Sequence, residues 1–432
     1  PNNRGYDFYV YGDFPIILVR YLAGWLNDFG ASLRENPNLS GAILSFANVQ
    51  NWAGYDEVAL LGRALSAVFD IASLLFVFLV AKRLFNTKVA LLGTAFSALA
   101  VMQIQQSHFF TVDMFANFFM TLTAYFAVEL IFAKESSLDL VSIFKNSEEN
   151  PDKFKKLPQF LKEPVFLWTV GFGLSFGAAV ACKLNAAPLA ILLPGALAIR
   201  KFSLQDEDDY RPAIVSKLNY ETLAFLLVLG GIVSVLAFRV LMPYAFKGPS
   251  FFNVSPNPKW VEQIAAQRAQ ANGDVDFPPA LQWTRRSVLY SGENMLHWGL
   301  GWPLGILWAL SFVVMGWQVI RGKRNRSALV WGWVAIYFLW QSTQWNPNMR
   351  YQLPIYPLAA IMAAWLVFNG PKWPKLTINL TRVISVMAGL AVLLLTFFWA
   401  FAFTRIYTVD HSRVQATHWI MQNLPGPMNL NI

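Results

Sequence analysis

The stretch LGRALSAVFDIASLLFVFLVAKRLF, residues 61–85, decides the class of protein to which this chain belongs. Leucine, phenylalanine, alanine and valine fill it on every side rather than along one stripe, as in helices that are embedded in lipid. The apolar run to which it belongs covers 60–82, and about 20 such residues are enough to cross a bilayer. The run ends in Lys82 and Arg83, which predicts a membrane-spanning helix that stops at a basic loop.

Apolar runs of this kind recur along the whole chain. We predict ten spans, at 60–82, 89–104, 114–133, 165–182, 184–199, 222–243, 300–320, 328–342, 353–369 and 384–404. The composition agrees, because 56% of the residues are hydrophobic and only 14% are charged, against about a quarter charged in soluble domains. One cysteine excludes a disulfide framework, and no Cys/His cluster indicates structural zinc. The chain is therefore predicted to be an all-α, polytopic membrane protein.

The segments outside the bundle are predicted from interruptions in this pattern. Residues 14–29 (FPIILVRYLAGWLNDF) are too short to span, contain Arg20 and end in Asn27-Asp28, which favours a helix lying in the membrane interface. We divide the chain into a first outer loop (1–58), a transmembrane bundle (59–404) with a large outer loop at 244–299, and the start of a C-terminal outer segment (405–432). That last segment is predicted to hold one helix and the start of a strand.

Lysine and arginine predict the orientation. The basic loops 82–88, 134–163, 200–217, 321–326 and 370–382 alternate along the chain and are assigned to the cytoplasm. Residues 1–58, 105–113, 244–299, 343–352 and 405–432 then face outward. The net charge of +9 at pH 7 is explained by these short loops, so a lipid bilayer is the expected partner and nucleic acid is not.

Ionisable side chains concentrate at the outer ends of the predicted helices. Charges at membrane depth are costly and commonly serve a site, although each has an ordinary alternative. Lys183 could extend towards the interface, Asp113 could cap a helix that begins at Met114, and Arg350 could be a loop charge. A carboxylate beside cations suits a reaction on an anionic lipid headgroup, because the cations bind the phosphate and the carboxylate acts as a base or a metal ligand. The residues concerned are Asp13, His108, Asp113, Lys183, Arg285, Arg286, His297 and Arg350.

Several blocks, in their order and spacing, resemble the GT-C glycosyltransferases that use polyprenyl-phosphate sugars. The likeness is to family 39 in particular, which includes protein O-mannosyltransferases and the aminoarabinose transferase of lipid A. The resemblance implies a multi-pass protein of the plasma (inner) membrane that moves a hexose or pentose from a polyprenyl-phosphate carrier to a protein or lipid acceptor on the outer side. The blocks are YGDFPIILVRYLAGWL, LGRALSAVFDIASLLFVFLVAKRLF, HFFTVDMFANFFMTLTAYF, GAAVACKLNAAPLAILLP and MRYQLPIYPLAAIMAAW.

The resemblance also implies roles for single residues. Asp113 and Asp13 match acidic catalytic positions, and Asp13 is the expected ligand if a divalent metal binds. Phe14 departs from the Lys of the related Glu-Lys-Pro element. The carrier phosphate is assigned to Lys183, Arg350, Tyr351 and Arg63, and the acceptor side to Arg285, Arg286 and His297. Arg63 could instead neutralise Asp70. The aromatic residues near His297 could instead belong to the belt of Trp and Tyr at the membrane interface.

The family pattern also concerns the ends of the chain. Relatives carry a first spanning helix followed by an acidic motif, and neither precedes Asp13 here, so the leading carboxylate is expected upstream of Pro1. Asp56-Glu57 spells the same dipeptide but follows the Asp13 block, and it receives no role. Two other classes stay open: a non-catalytic scaffold or complex subunit that keeps the fold, and a lipid or solute transporter. A transporter is disfavoured because the predicted charges lie at one face and no repeat is visible.

Overall fold

We describe the protein from a computed structural model. The structure describes residues 11–35, 40–49, 51–133, 161–202, 220–248, 250–275, 278–283, 286–322, 327–370, 377–424 and 426. Within these ranges the chain is helical, and the β-pairing consists of one isolated bridge between Phe246 and Pro256. The all-α prediction is confirmed.

Sixteen α-helices are described in these ranges. In chain order they are α1 (Asp13–Arg34), α2 (Gly41–Ala47), α3 (Tyr55–Leu84), α4 (Thr87–Ala98), α5 (Val101–Ser107), α6 (Val112–Phe132), α7 (Pro164–Cys182), α8 (Leu192–Phe202), α9 (Tyr220–Leu241), α10 (Pro258–Asn272), α11 (Tyr290–Asn294), α12 (Trp302–Ile320), α13 (Ala328–Ser342), α14 (Tyr356–Asn369), α15 (Ile378–Thr404) and α16 (Ser412–Asn423). Short 3₁₀ segments join some of them, among which Leu184–Ile191 and Met349–Ile355 matter below.

Each of the ten predicted apolar runs is helical, but the runs do not form ten separate spans. Of the described residues, seven helices are long and apolar enough to cross a membrane, or eight if the pair α4 and α5 counts as one span. That pair, predicted as one helix over 89–104, is bent by 56° at its break. The run 184–199 is a 3₁₀ segment that contains Pro188 followed by α8, and α13 is a shorter apolar helix. Ten is therefore an approximate count.

The segments predicted to lie outside the bundle also contain helices. The stretch 14–29 lies within α1, α10 occupies the outer loop 244–299, and α16 forms the C-terminal segment. The strand expected after α16 lies outside the described residues. Whether α1 lies along the membrane interface stays a prediction.

Helix α6 lies inside the bundle, between α3, α7 and α8. Most of its side chains are buried, whereas lipid-facing helices such as α15 expose many. At its C-terminal end, Arg200 donates hydrogen bonds to the carbonyl groups of Leu130, Ile131 and Ala133 over 2.6–3.2 Å. Arg83 donates to the Phe132 carbonyl at 3.1 Å. Cations that satisfy the last carbonyls of a helix stabilise it, so α6 is anchored at one end and presents Asp113 at the other.

Candidate functional site

The site is built on the first turn of α6. This helix begins at Val112, two residues before the predicted start, and its N-cap is Thr111, whose backbone is extended. Asp113 is thus the second helical residue and does not occupy the cap position. Its side chain is only 4% exposed, and a carboxylate at that depth needs charged or hydrogen-bonding partners.

Lys183 supplies the first partner. Helix α7 ends at Cys182, and Lys183 adopts an extended backbone that turns the chain into the 3₁₀ segment Leu184–Ile191. Its Nζ donates a hydrogen bond to Oδ1 of Asp113 at 2.5 Å. The lysine therefore points to the carboxylate of α6 rather than along the helix surface towards the interface.

Arg350 supplies the second partner from a third part of the chain. It lies in the 3₁₀ segment Met349–Ile355, which Asn348 caps by accepting a hydrogen bond from the Arg350 amide at 3.0 Å. The Arg350 Nε lies 3.8 Å from the Asp113 Oδ2. Each carboxylate oxygen therefore faces a different cation.

The Tyr351 ring packs beside both cations. The Lys183 Nζ lies 4.7 Å from the ring centroid and the Arg350 Cζ lies 5.6 Å from it. Cations at this distance from an aromatic ring are stabilised by its quadrupole. The Tyr351 carbonyl accepts a hydrogen bond from the buried Tyr337 hydroxyl at 3.1 Å. This hydrogen bond fixes the backbone at Tyr351.

The charge balance of this cluster favours an anion. Among Lys183, Arg350 and Asp113, two cations face one carboxylate, which leaves these three side chains with one positive charge in excess. The Lys183 and Arg350 side chains are 17% and 28% exposed, whereas Asp113 is almost sealed. The accessible side of the cluster is therefore positive, and lysine and arginine donors of this kind suit phosphate oxygens.

The N-terminus of α1 lies against the same end of α7. The Gly12 amide donates to the Cys182 carbonyl at 3.2 Å, and a Cβ at position 12 would lie 2.0 Å from the Ala181 carbonyl oxygen. Only glycine permits this approach. Asp13, the next residue, is 3% exposed and opens α1, so the structure brings Asp13 to the turn of chain that carries Lys183.

Other predicted site residues do not join this cluster. Arg63 is exposed on α3 and forms no ion pair with a described residue; Asp70, its alternative partner, instead accepts a hydrogen bond from Gln103 at 3.3 Å. Arg286 is exposed and stacks on Tyr290, 5.0 Å from the ring centroid. Placing Arg63 with the carrier-binding residues, or with Asp70, finds no support in these contacts.

The remaining acceptor-side predictions rest on His297 and Arg285. His297 packs against Trp302 in a tilted arrangement, with 4.2 Å between the ring centroids. That packing suits an aromatic belt as well as an acceptor surface, and both stay predictions. Arg285 lies outside the described residues.

A metal site is not preformed among the described residues. Within the ranges given above, no group of three or more His, Cys, Asp and Glu side chains is close enough to hold a metal ion. A magnesium ion can also bind through one or two carboxylates together with the phosphate of a substrate. Asp13 as a metal ligand therefore stays a prediction.

Sequence reasoning missed a polar cluster inside the bundle. Ser97 donates to the Gln103 Oε1 at 3.0 Å, and the Gln103 Nε2 donates to Asp70 near the middle of α3. The signal was present in the sequence, since a carboxylate and a glutamine interrupt two apolar runs. Tyr337, which supports the Tyr351 backbone, gave no such signal because it lies in an aromatic-rich run.

Comparison with solved structures places this helical arrangement in a known fold. The oligosaccharyltransferase of Archaeoglobus fulgidus, in complex with zinc and sulfate, matches with a TM-score of 0.54 at 15% identity. The same enzyme with an inhibitory peptide and a dolichol-phosphate matches with a TM-score of 0.52 at 14% identity. The chain has the GT-C fold of membrane glycosyltransferases. The predicted fold class is confirmed.

The extent of these matches differs between the two chains. The superpositions cover 97% of this chain and 48% and 50% of the oligosaccharyltransferase chains. This chain thus spans about half the length of those enzymes. ArnT of Cupriavidus metallidurans matches over 92% of this chain and 62% of its own, at 15% identity and a TM-score of 0.45, so the fold assignment rests on the oligosaccharyltransferase.

Sequence comparisons do not narrow the family further. No protein-family model matches the chain, and no curated protein matches it by sequence. Membership of family 39 is not confirmed.

Proposed function

We propose that this protein is a membrane glycosyltransferase that takes a sugar from a polyprenyl-phosphate carrier and transfers it to an acceptor outside the cytoplasm. The observation that carries the proposal is the pairing of Lys183 and Arg350 with one buried carboxylate, Asp113, in a GT-C fold. The excess positive charge and its partial exposure match the headgroup of a lipid phosphate.

The relatives in structure support the choice of carrier. The archaeal oligosaccharyltransferase has been solved with a dolichol-phosphate and with an acceptor peptide. A polyprenyl phosphate carries its charge at the membrane surface and its chain in the lipid, which suits a cationic cluster at the end of spanning helices. The acceptor is a protein or a lipid.

The proposed chemistry is a substitution at the anomeric carbon. The bond from this carbon to the carrier phosphate oxygen breaks, a bond to the acceptor oxygen or nitrogen forms, and the acceptor loses a proton to a carboxylate. Lys183 and Arg350 stabilise the negative charge that develops on the departing phosphate. They are held in position before the reaction by Asp113, so little reorganisation is needed.

Asp113 is assigned a supporting catalytic role. A carboxylate whose two oxygens face two cations is a weak proton acceptor, because protonation would remove those interactions. Asp113 therefore orients the cations and is not assigned the role of the leading base. Asp13, which lies beside the Lys183 turn, is assigned to the acceptor side and, if a divalent metal binds, to that metal.

The test is transfer of labelled sugar from polyprenyl phosphate in membranes that contain the full-length protein. Carrier-dependent transfer that Lys183→Met and Arg350→Gln lower at limiting carrier supports the proposal. A protein that binds polyprenyl phosphate but transfers no sugar, with or without added divalent metal, would be a scaffold that keeps the fold. Uptake of the carrier without transfer would identify a transporter.

A further inference from the structure

Helices α4 and α5 form one broken span whose bend has no local cause in the sequence. The chain bends by 56° between Ala98 and Val101, and the residues at the break are Ser97-Ala98-Leu99-Ala100-Val101. Sharp kinks usually need proline, a glycine–serine pair, an inserted group or a π-bulge. Neither proline nor glycine occurs here, so contacts with other parts of the protein must hold the bend.

A hydrogen bond crosses this break. The Ser97 hydroxyl, on α4, lies 3.0 Å from the Gln103 Oε1, on α5. In a continuous helix two residues six positions apart are separated by about 9 Å along the axis and about 120° around it. Their side chains would not meet, so this hydrogen bond exists only in the bent arrangement.

The same glutamine continues to a third helix. Its Nε2 donates to Asp70 Oδ1 at 3.3 Å, and Asp70 lies near the middle of α3, in an otherwise apolar stretch. Ser97 and Gln103 are 0% and 1% exposed. Polar side chains in this position are costly unless they are paired, so the chain Ser97–Gln103–Asp70 favours the bent form over a straight one.

The bend leads directly to the candidate site. Four residues join Ser107 to Val112, and successive backbone hydrogen bonds keep them tight: His108 to Gln105, Phe109 to Gln106 and Thr111 to Phe109. Phe110 rests on Gly62 of α3, where a Cβ would lie 2.2 Å from the ring. A rotation of α5 is therefore transmitted to the first turn of α6.

Helix α5 also packs against the segment that carries Arg350. It contacts Met349–Ile355 as well as α3 and α6. The short helix α5 thus contacts the parts of the chain that present Asp113 and Arg350. Its orientation affects the distance between these two side chains.

We propose that Ser97, Gln103 and Asp70 are positioning residues that hold the broken span α4–α5 and thereby set the place of Asp113 relative to Arg350. None of the three touches the cluster itself. The positioning role can be tested by distances alone, without an activity measurement. The expected effect of these residues on sugar transfer rests on the proposed function.

The direct test measures the bend. Spin labels at L91C, on α4, and F109C, just after α5, occupy exposed positions, and the native Cys182 is buried and does not compete for label. Straightening a 56° bend lengthens the distance between these positions by about 3 Å. We expect Gln103→Leu to produce this change and Gln105→Leu, the same substitution two residues along α5, to leave the distance within about 1 Å of wild type.

Sugar transfer by the same variants provides a second test. Asp70→Asn keeps an oxygen that accepts from Gln103 and should retain both the distance and transfer within about threefold, whereas Asp70→Leu and Gln103→Leu should lower turnover at least about tenfold. An unchanged label distance in Gln103→Leu, or loss of transfer in Asp70→Asn with the distance intact, would overturn the positioning role. If no variant or wild-type protein transfers sugar, the label distances still decide the inference, and the proposed function alone fails. Distances are measured on monodisperse protein, so a variant that does not fold is replaced by Ser97→Ala, which removes only the bond across the break.

Discussion

The Nζ of Lys183 lies 2.5 Å from the Oδ1 of Asp113, although the two residues are 70 positions apart. Their helices meet because the small residues of α7 allow close packing against α6 and α9; a Cβ at Gly177 would lie 2.5 Å from the Ser234 carbonyl oxygen of α9. The pair, with Arg350 beside it, concentrates charge at one end of a buried helix.

Asp113→Asn should lower sugar transfer by about 10²-fold, the usual scale for a lost electrostatic contribution. The amide keeps the size of the side chain but cannot neutralise Lys183 and Arg350, so the two cations repel each other. Transfer from labelled carrier, at matched expression, measures the effect.

Asp56→Asn is the matched control, because Asp56 is likewise the second residue of a spanning helix but is exposed. It should transfer normally. Wild-type activity in Asp113→Asn would show that its charge has no part in the reaction.

Lys183→Met should raise the KM for the carrier about tenfold to a hundredfold, because a charge-assisted hydrogen bond to phosphate contributes about 1.5–3 kcal/mol. The methionine keeps the apolar stem. Steady-state kinetics with varied carrier separate this effect from turnover.

Lys201→Met provides the comparison, since Lys201 also packs on an aromatic ring, 5.5 Å from the Tyr220 centroid, but lies at the opposite end of the bundle. Its KM should not change. Equal effects of the two substitutions would contradict a phosphate contact at Lys183.

Gly12→Ala should impair the site through α1. The added methyl would lie 2.0 Å from the Ala181 carbonyl oxygen, and backbone shifts of this origin cost about 1–3 kcal/mol. We expect at least about tenfold lower transfer, because Asp13 moves away from the Lys183 turn. Transfer and the midpoint of thermal unfolding are measured on the same preparation.

Gly24→Ala, in the same helix, meets no atom within 4 Å. Alanine is favoured over glycine inside helices by about 0.5–1 kcal/mol, so this variant should be as stable as the wild type or more so. Equal behaviour of the two variants would exclude a special role for Gly12.

Arg200→Met should destabilise the protein by about 3 kcal/mol or more without a specific effect on the KM for the carrier. The guanidinium satisfies three carbonyl groups at the end of α6, and hydrogen bonds from charged groups contribute about 1.5–3 kcal/mol each. The midpoint of thermal unfolding in detergent reports the loss. Arg321→Met, which removes an exposed guanidinium that packs on Trp317 at 4.0 Å, should leave the midpoint close to wild type.

Topology reporters at 147 and 270 should appear on opposite sides of the membrane. The basic loops predict the first position to be cytoplasmic and the second, in α10, to be external. Finding both reporters on the same side would contradict the predicted topology.

The amino-acid sequence determined the class of this protein and the region of its site. A long run that is apolar on every side is stable only in lipid or in a large core, so residues such as 61–85 specify spanning helices whatever their neighbours are. Asp113, Lys183 and Arg350 could be assigned to one face because each lies at an end of such a run. The sequence did not predict the start of α6 at Val112 or the bend within 89–104, because both depend on contacts that a local pattern does not contain. The role of Arg63 stays a prediction.

Only the tertiary structure decided which charges meet. Lys183 reaches Asp113 because the chain extends after Cys182, and Arg350 reaches it because Asn348 caps a short 3₁₀ turn. The bend between α4 and α5 depends on Gln103 meeting Asp70 of another helix. Hydrophobicity places a helix in the membrane at low resolution, but hydrogen bonds and ion pairs act over about 3–4 Å. Their partners are fixed by helix packing, which no single stretch of sequence specifies.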